Sequence, residues 1–194
     1  MRRWFAPVPV RADCWPNGVL RGGYMDSDHE NKLPSELPTG RFAGREAFAQ
    51  RVRNAFDVAG QRGWREIIIS DATFEDWPLH ERALNEALGA WAKSGRRFVM
   101  IASRYDAVLR QHPRFVSWRT TWDHIIECRT NRRTEPSDFP SAMVTPDWAL
   151  QRLDLVRSTG VCSYAPAYRV RVRETLDELL SVSGPGFPAT ILGL

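Results

Sequence analysis

The residues best placed for chemistry follow two apolar segments of the sequence. Asp71 ends a segment in which residues 67–69 are three isoleucines. Ser103 and Arg104 directly follow a second apolar segment, residues 98–102. Continuous apolar runs of this length are typical of strands buried on both faces of a parallel sheet. Ligand sites of open α/β sheets lie at the carboxyl ends of such strands, so these three side chains are candidate ligand contacts. The alternative is that Asp71 and Ser103 only cap neighbouring turns.

The basic residues are concentrated in one block of the chain. Lysine and arginine total 27 against 23 acidic residues, and all but Lys32 and Lys93 are arginine. Residues 96–134 hold nine arginines against three acidic residues, which gives this block a net charge of +6. Clustered guanidinium groups bind phosphates, so the block predicts an anionic or phosphorylated partner, and we add Arg114 and His124 to the candidate contacts. A solvated face with internal ion pairs would carry the same charge.

Hydrophobic periodicity predicts helices that alternate with strands. The predicted helices lie at residues 44–63, 78–95, 105–122 with a break at Pro113, and from Pro166 onward. The predicted strands lie at residues 66–70, 97–102, 124–128, 142–145, 148–152 and 161–164. This order predicts one α/β domain over residues 41–194, with a mainly parallel sheet flanked by helices on both faces. Residues 1–40 contain five prolines and no periodicity, so we expect an irregular N-terminal arm.

Motifs of the common catalytic and cofactor sites are absent from the sequence. It has no Gly-x-Gly-x-x-Gly, Walker-type phosphate loop, Gly-x-Ser-x-Gly or His-Glu-x-x-His. Asp76 and His80 have a spacing that suits a metal ion, but two ligands do not make a site, so we expect no metal and no cofactor. Cys14, Cys128 and Cys162 are odd in number and far apart, and no apolar run of about 18 residues occurs. These features favour a cytoplasmic protein without a membrane span.

Two predicted strands are joined through the segment Pro140-Ser141-Ala142-Met143-Val144-Thr145-Pro146-Asp147. Together with the order of elements around it, this segment resembles one repeat of the phospholipase D-like fold, whose members carry His-x-Lys-x-x-x-x-Asp. Asp147 matches the motif, whereas Pro140 stands at the nucleophilic histidine and Ala142 at the phosphate-binding lysine. The tail over residues 176–188 is similar to tails of bacterial phospholipase D-like proteins of unknown function. The resemblance implies that the family reaction is lost, because proline and alanine supply neither a nucleophile nor a charge that stabilises an oxyanion.

Three functional hypotheses follow from the resemblance and the arginine block. The first is a non-catalytic domain that binds an anionic or phosphorylated partner, for which nucleic acid is one candidate. The second is a phosphodiesterase-type hydrolase with relocated machinery, in which His112 or His124 supplies the base beside Asp71. The third is a structural interaction module that uses Trp118, Trp122 and the N-terminal arm. A lone repeat leaves exposed the surface that meets its twin, so the resemblance also implies a homodimer.

Overall fold

The structure is a computed structural model that describes residues 36–95 and 97–188. All of these residues belong to one compact unit. A short 3-10 helix, Asp123–Ile125, precedes the fourth strand. The strands are β1 (Gly40–Phe42), β2 (Glu66–Asp71), β3 (Arg97–Ala102), β4 (Ile126–Thr130), β5 (Ser141–Val144), β6 (Ala149–Asp154), β7 (Thr159–Ser163) and β8 (Gly184–Pro185). The helices are α1 (Arg45–Arg62), α2 (Arg82–Ala92), α3 (Asp106–Gln111), α4 (Pro113–Thr121) and α5 (Pro166–Ser181).

One mixed sheet of eight strands, in the order β1-β7-β6-β5-β2-β3-β4-β8, forms the centre of the domain. Only β2 with β3 and β3 with β4 pair in parallel, and the other neighbouring pairs are antiparallel. The prediction of a mainly parallel sheet flanked by helices on both faces is therefore wrong. The physical reason lies in the connections: residues 145–148 and 155–158 close hairpins, but they are too short for the crossover that parallel strands require.

The individual elements match their predictions more closely than the sheet does. α1 corresponds to the helix predicted over residues 44–63, and Pro113 separates α3 from α4 as predicted. β2 and β3 are adjacent and parallel, with Ile68 opposite Val99. One strand is displaced, because β4 begins at Ile126 and the two residues before it belong to the 3-10 helix.

The apolar character of β2 follows from burial on both of its faces. Ile67 and Ile69 pack into the larger hydrophobic cluster, which α1, α2 and α4 contribute to from one side of the sheet. Ile68 points the other way, into a smaller cluster that includes Leu176 of α5. Alternate residues of a strand point to opposite faces, so three consecutive isoleucines fit a strand that is covered on both. The helices are divided unequally, with α5 alone on its face.

The last residues of the predicted arm belong to the sheet domain. Leu37 is 3% exposed, and the carbonyl of Pro38 accepts hydrogen bonds from Trp148 Nε1 over 3.0 Å and from Cys162 Sγ over 3.1 Å. The preceding part of the predicted arm, residues 1–35, lies outside the described residues, and so does Cys14. Within residues 36–95 and 97–188, no helix has the length and apolar character needed to cross a membrane.

Candidate functional site

The carboxyl ends of β2, β3 and β4 lie side by side at one edge of the sheet, which we call the carboxyl edge. Backbone hydrogen bonds hold the loops that leave it. The N–H groups of Ser103 and Arg104 both donate to the carbonyl of Ala72, over 3.0 and 3.1 Å, and the N–H of Asn131 donates to the carbonyl of Ala102 over 3.0 Å. Each loop is thereby tied to its neighbour, so the fold presents side chains from three stretches of sequence at one edge.

Asp71 lies at the carboxyl edge, but its carboxylate is already occupied. The residue is 4% exposed. Its Oδ2 accepts hydrogen bonds from Arg152 Nη2 over 2.7 Å and from Trp77 Nε1 over 3.1 Å, and its Oδ1 accepts from the N–H groups of Thr73 and Phe74. Burial alone would raise the pKa of Asp71, but the charge of Arg152 and these hydrogen bonds outweigh it and lower the pKa. Asp71 is an ionised anchor of the loop rather than an open ligand contact.

Arg152, on β6, is the partner that the sequence analysis missed. Its side chain is 3% exposed, and beyond Asp71 it donates from Nε to Ser141 Oγ over 2.8 Å and from Nη1 to Asp76 Oδ2 over 3.1 Å. The guanidinium also lies 4.2 Å from the centre of the Phe48 ring. The signal available in the sequence was an arginine at the end of the strand predicted over residues 148–152. Such a buried cation requires acceptors around it, and the structure supplies them.

Two adjoining depressions lie over the carboxyl edge, and both are lined by Arg104 and Asp106. The larger, of about 350 Å³, also includes Arg132, and the smaller, of about 280 Å³, includes Arg110 and Glu75. We call the surface lined by Arg104, Arg110 and Arg132 the arginine groove. Its three cations outnumber its two carboxylates, so it carries a net positive charge.

The arginines of the groove differ from Arg97 and Arg129 of the same block in having no carboxylate partner among the described residues. All three are exposed, and no hydrogen bond or ion pair joins their side chains to another residue of the part of the chain that the structure describes. On the face of the sheet that α5 covers, Arg97 instead bridges Glu66 and Glu127, over 2.7 and 2.9 Å, and Arg129 also pairs with Glu127 over 2.7 Å. The block therefore contains both of the arrangements that its sequence allowed: internal ion pairs and open cations.

The remaining predicted contacts do not line the groove. Arg114, at the start of α4, donates to the carbonyl of His80 over 3.1 Å. His124 is exposed and precedes β4, at the amino end of that strand. Asp147 follows β5, which runs antiparallel to β2, so it lies near the amino end of β2 and accepts from Trp64 Nε1 over 2.9 Å. The structure thus brings together Asp71, Ser103 and Arg104, but places His124 and Asp147 at the opposite edge.

Neither histidine of the relocated-enzyme hypothesis is placed to act on Asp71. His112 is 1% exposed, and its Nε2 donates to the carbonyl of Phe74 over 3.0 Å. Burial lowers the pKa of His112, and its ring stacks on His80 with 5.7 Å between centroids. His124 lies at the other edge of the sheet. Among the described residues, no hydrogen bond joins either imidazole to the Asp71 carboxylate.

The segment that matches the family motif is part of the sheet rather than of a cleft. Ala142 is fully buried in β5, and the carbonyl of Pro140 accepts from Ser70 Oγ over 2.8 Å. Asp147 lies at the other end of β5 from Pro140. Within the described ranges, no group of three or more His, Cys, Asp or Glu side chains could hold a metal ion, and Asp76 is engaged in the ion pair described above.

The chain matches no family model and no curated protein. Among solved structures it is similar to TrmBL2, an archaeal chromatin protein described as showing a novel mode of DNA binding. The TM-score is 0.59 with 13% sequence identity, over 81% of this chain and 57% of that chain. This chain therefore spans little more than half of its structural neighbour. At such an identity, the likeness is one of fold.

Proposed function

We propose that this domain binds the phosphate backbone of a nucleic acid through the arginine groove and catalyses no reaction there. The observation that carries the proposal is that the three exposed arginines of the groove have no acidic partner among the described residues. Arginines that contact phosphates displace the counterions condensed on the polymer, which drives association. An arginine already bridged by two carboxylates, as Arg97 is, gains less from such a contact because it would lose its existing pairs.

The geometry of the groove suits a polymer better than a single small anion. Arg104 follows β3, Arg132 follows β4, and Arg110 comes from the last turn of α3. Backbone hydrogen bonds at the carboxyl edge hold the two strand-end loops in place, so the backbone positions that carry Arg104 and Arg132 are fixed. One phosphate can engage only one or two of these side chains, whereas a backbone with regularly spaced phosphates can engage all three. The carboxylates of Asp106 and Glu75 also line the groove and repel phosphates, so the contacts with the backbone are those of the arginines.

The fold neighbour adds support for nucleic acid as the partner. TrmBL2 is described as a DNA-binding chromatin protein. The likeness covers most of this chain at low identity, so it concerns the framework of the domain and not particular side chains. The phosphate contacts are therefore argued from the arginines of this chain alone.

The absence of catalysis in this proposal is supported by the state of the candidate catalytic groups. The ionised carboxylate of Asp71 is paired with Arg152, and His112 is buried against a backbone carbonyl. Pro140 cannot replace the nucleophilic histidine of the family motif, and Ala142 cannot replace its phosphate-binding lysine. The resemblance to phospholipase D-like proteins and the loss of activity that it implies both stay predictions.

The interaction-module hypothesis has less support from the described residues. Trp118 is 7% exposed and packs edge-on against Phe98, with 5.3 Å between ring centroids, and Trp122 packs against the same core cluster. Trp118 therefore offers little free surface, and Trp122 is half-buried. The homodimer stays a prediction, and sedimentation of a 22.2 kDa species at micromolar concentration would contradict it.

The proposal is tested by the affinity for a fluorescently labelled duplex of about 20 base pairs, measured by anisotropy at low salt. We expect saturable binding by the wild type. The double variant Arg104→Ala/Arg132→Ala should lose about tenfold or more in affinity, because it removes two charge-assisted phosphate contacts.

The matched control is Arg65→Ala/Arg157→Ala. These two arginines are also exposed and have no side-chain partner among the described residues, but they lie outside the groove. The control changes the net charge by the same amount and should bind nearly as the wild type does. The proposal is wrong if both double variants lose affinity equally, or if neither does.

A further inference from the structure

Arg119, on α4, carries a buried charge with no carboxylate partner among the described residues. The residue is 6% exposed, and its Nε and Nη1 atoms are buried without a hydrogen-bond acceptor. A guanidinium remains protonated throughout the pH range of folded proteins, so its charge cannot be removed by titration. Buried charges are normally paired because their removal from water is costly. Arg119 therefore has a buried charge that no carboxylate of the described residues neutralises.

The ionisable side chains beside Arg119 do not supply that anion. Burial raises the pKa of the Tyr105 hydroxyl well above its ordinary value, and the hydroxyl donates to backbone carbonyls. Burial also raises the pKa of the Cys128 thiol, although the charge of Arg119 opposes this rise. Both groups are accordingly neutral at pH 7. Glu127, the neighbour of Cys128 on β4, is engaged with two other arginines.

Phe187 connects this buried charge with the surface. Its ring centroid lies 5.0 Å from the Arg119 guanidinium, and the ring stacks on Tyr105, also with 5.0 Å between centroids. Phe187 and Tyr105 line the larger depression of the groove together with Arg104 and Arg132. The backbone of Phe187 has a φ of 41°, in the left-handed region that side chains rarely adopt. The ring that covers the guanidinium is thus attached to a strained backbone at the wall of a cavity.

We propose that Arg119 anchors a second anion subsite, which takes a terminal phosphate or a free phosphate ion when the Phe187 ring moves off the guanidinium. A phosphate at the end of a chain has a single covalent attachment and a charge of up to about −2, so it can enter a narrow opening. A backbone phosphodiester is flanked by sugars on both sides and cannot follow. The subsite is separate from the backbone contacts of the arginine groove and does not require them.

The test is thermal melting with inorganic phosphate as the probe, against chloride at equal ionic strength. A ligand that binds only the folded state shifts the folding equilibrium about 100-fold when its concentration is 100 times its Kd. We expect phosphate to raise the Tm of the wild type and of Arg65→Met, a charge-matched control. Arg119→Met should lose this rise, because methionine fills part of the space without the charge. Phe187→Ala should show the rise at lower phosphate concentrations than the wild type, because the guanidinium is uncovered.

The inference is overturned if Arg119→Met keeps the phosphate-dependent rise. It is also overturned if Arg104→Ala/Arg132→Ala abolishes the rise, since phosphate would then bind the groove. Should Arg119→Met fail to fold, Phe187→Ala decides alone, and an unchanged phosphate response of that variant overturns the subsite. A failure of duplex binding would leave the phosphate response intact, so the two proposals fail separately.

The source of the phosphate is distinguished by single strands with and without a 5′-phosphate. Tighter binding of the phosphorylated strand by the wild type, lost in Arg119→Met, assigns the subsite to nucleic-acid ends. Equal binding of both strands, with the rise in Tm retained, assigns it to free phosphate.

Discussion

Arg152 and Arg119 are buried to the same extent, at 6% exposure each, and each guanidinium lies against a phenylalanine ring, Phe48 in one case and Phe187 in the other. They differ in their acceptors. Arg152 is bonded to two carboxylates and a serine, whereas two of the nitrogens of Arg119 have no acceptor among the described residues. The burial of an arginine therefore does not indicate its role, whereas the acceptors around its guanidinium do. Arg152 forms structural ion pairs, whereas the charge of Arg119 has no carboxylate partner among the described residues.

The same contrast divides the arginines nearer the surface. Arg97 and Arg129 share the Glu127 carboxylate on the face of the sheet that α5 covers, and Arg97 also pairs with Glu66, so their charges are satisfied within the domain. The arginines of the groove have no such partners among the described residues. The net charge of the block over residues 96–134 is consequently a poor measure of binding capacity. The position of an arginine at the carboxyl edge is a better measure of that capacity.

The largest effect is expected from breaking the satisfied buried pair. Arg152→Met leaves the Asp71 carboxylate buried without its cation, which should lower the free energy of unfolding by about 3–5 kcal/mol. Urea denaturation measures this loss. The double variant Arg152→Met/Asp71→Asn should recover part of it, because the uncompensated charge is gone. Unfolding of Arg152→Met at the wild-type urea concentration would show that the pair is not structural.

The Asp71 pair also predicts a pH dependence of stability. The pKa of Asp71 is lower in the folded protein than the value of about 3.9 expected for the unfolded chain. Its contribution is therefore complete above about pH 4 and is lost as the pH falls through the folded pKa. Asp71→Asn lacks this contribution, so the difference in unfolding free energy between wild type and variant should narrow below about pH 4. A difference that stays constant from pH 7 to pH 2 would contradict the lowered pKa.

A smaller effect, and of opposite sign, is expected at the unsatisfied buried arginine. Replacing a buried charge by an apolar side chain of similar length is often neutral or stabilising, by up to about 1–4 kcal/mol. Arg119→Met should accordingly unfold at the same or a higher urea concentration than the wild type when no phosphate is present. A loss as large as that of Arg152→Met would mean that the two arginines are equivalent, and the comparison would fail.

The smallest effects separate the two sets of surface arginines. Arg97→Ala removes two partly exposed ion pairs and should lower stability by about 0.5–1 kcal/mol. Arg104→Ala removes no pair and should stay within about ±0.5 kcal/mol of the wild type. Parallel urea titrations distinguish these values, and equal losses would indicate that Arg104 has a structural partner.

Local sequence patterns were sufficient for most elements but not for the direction of the strands. The isoleucines of β2 predict a strand buried on both faces, and Pro113 predicts a helix break, because both depend on neighbouring residues only. The mostly antiparallel sheet depends instead on where β5 inserts. That strand pairs with β2, about 70 residues earlier in the chain, and no local pattern encodes the pairing.

The candidate site was predictable in position and only partly in composition. The rule that ligands bind at the carboxyl ends of strands selects Ser103 and Arg104, and Arg104 lines the groove. It also selects Asp71, whose partner Arg152 lies 81 residues away and could not be inferred from spacing. His124 was selected with the arginine block and Asp147 by the motif, and both lie at the other edge. Arg110 and Arg132 were visible only as members of a charged block.

The central claim, that the arginine groove contacts phosphates, is tested most directly by the salt dependence of duplex binding. The slope of log K against log salt concentration is negative, and it becomes less negative by about 0.9 for each phosphate contact that is removed. For Arg104→Ala/Arg132→Ala the slope should be less steep than that of the wild type by about 2, while Arg65→Ala/Arg157→Ala should keep the wild-type slope. Equal slopes for the wild type and the groove variant would contradict the account.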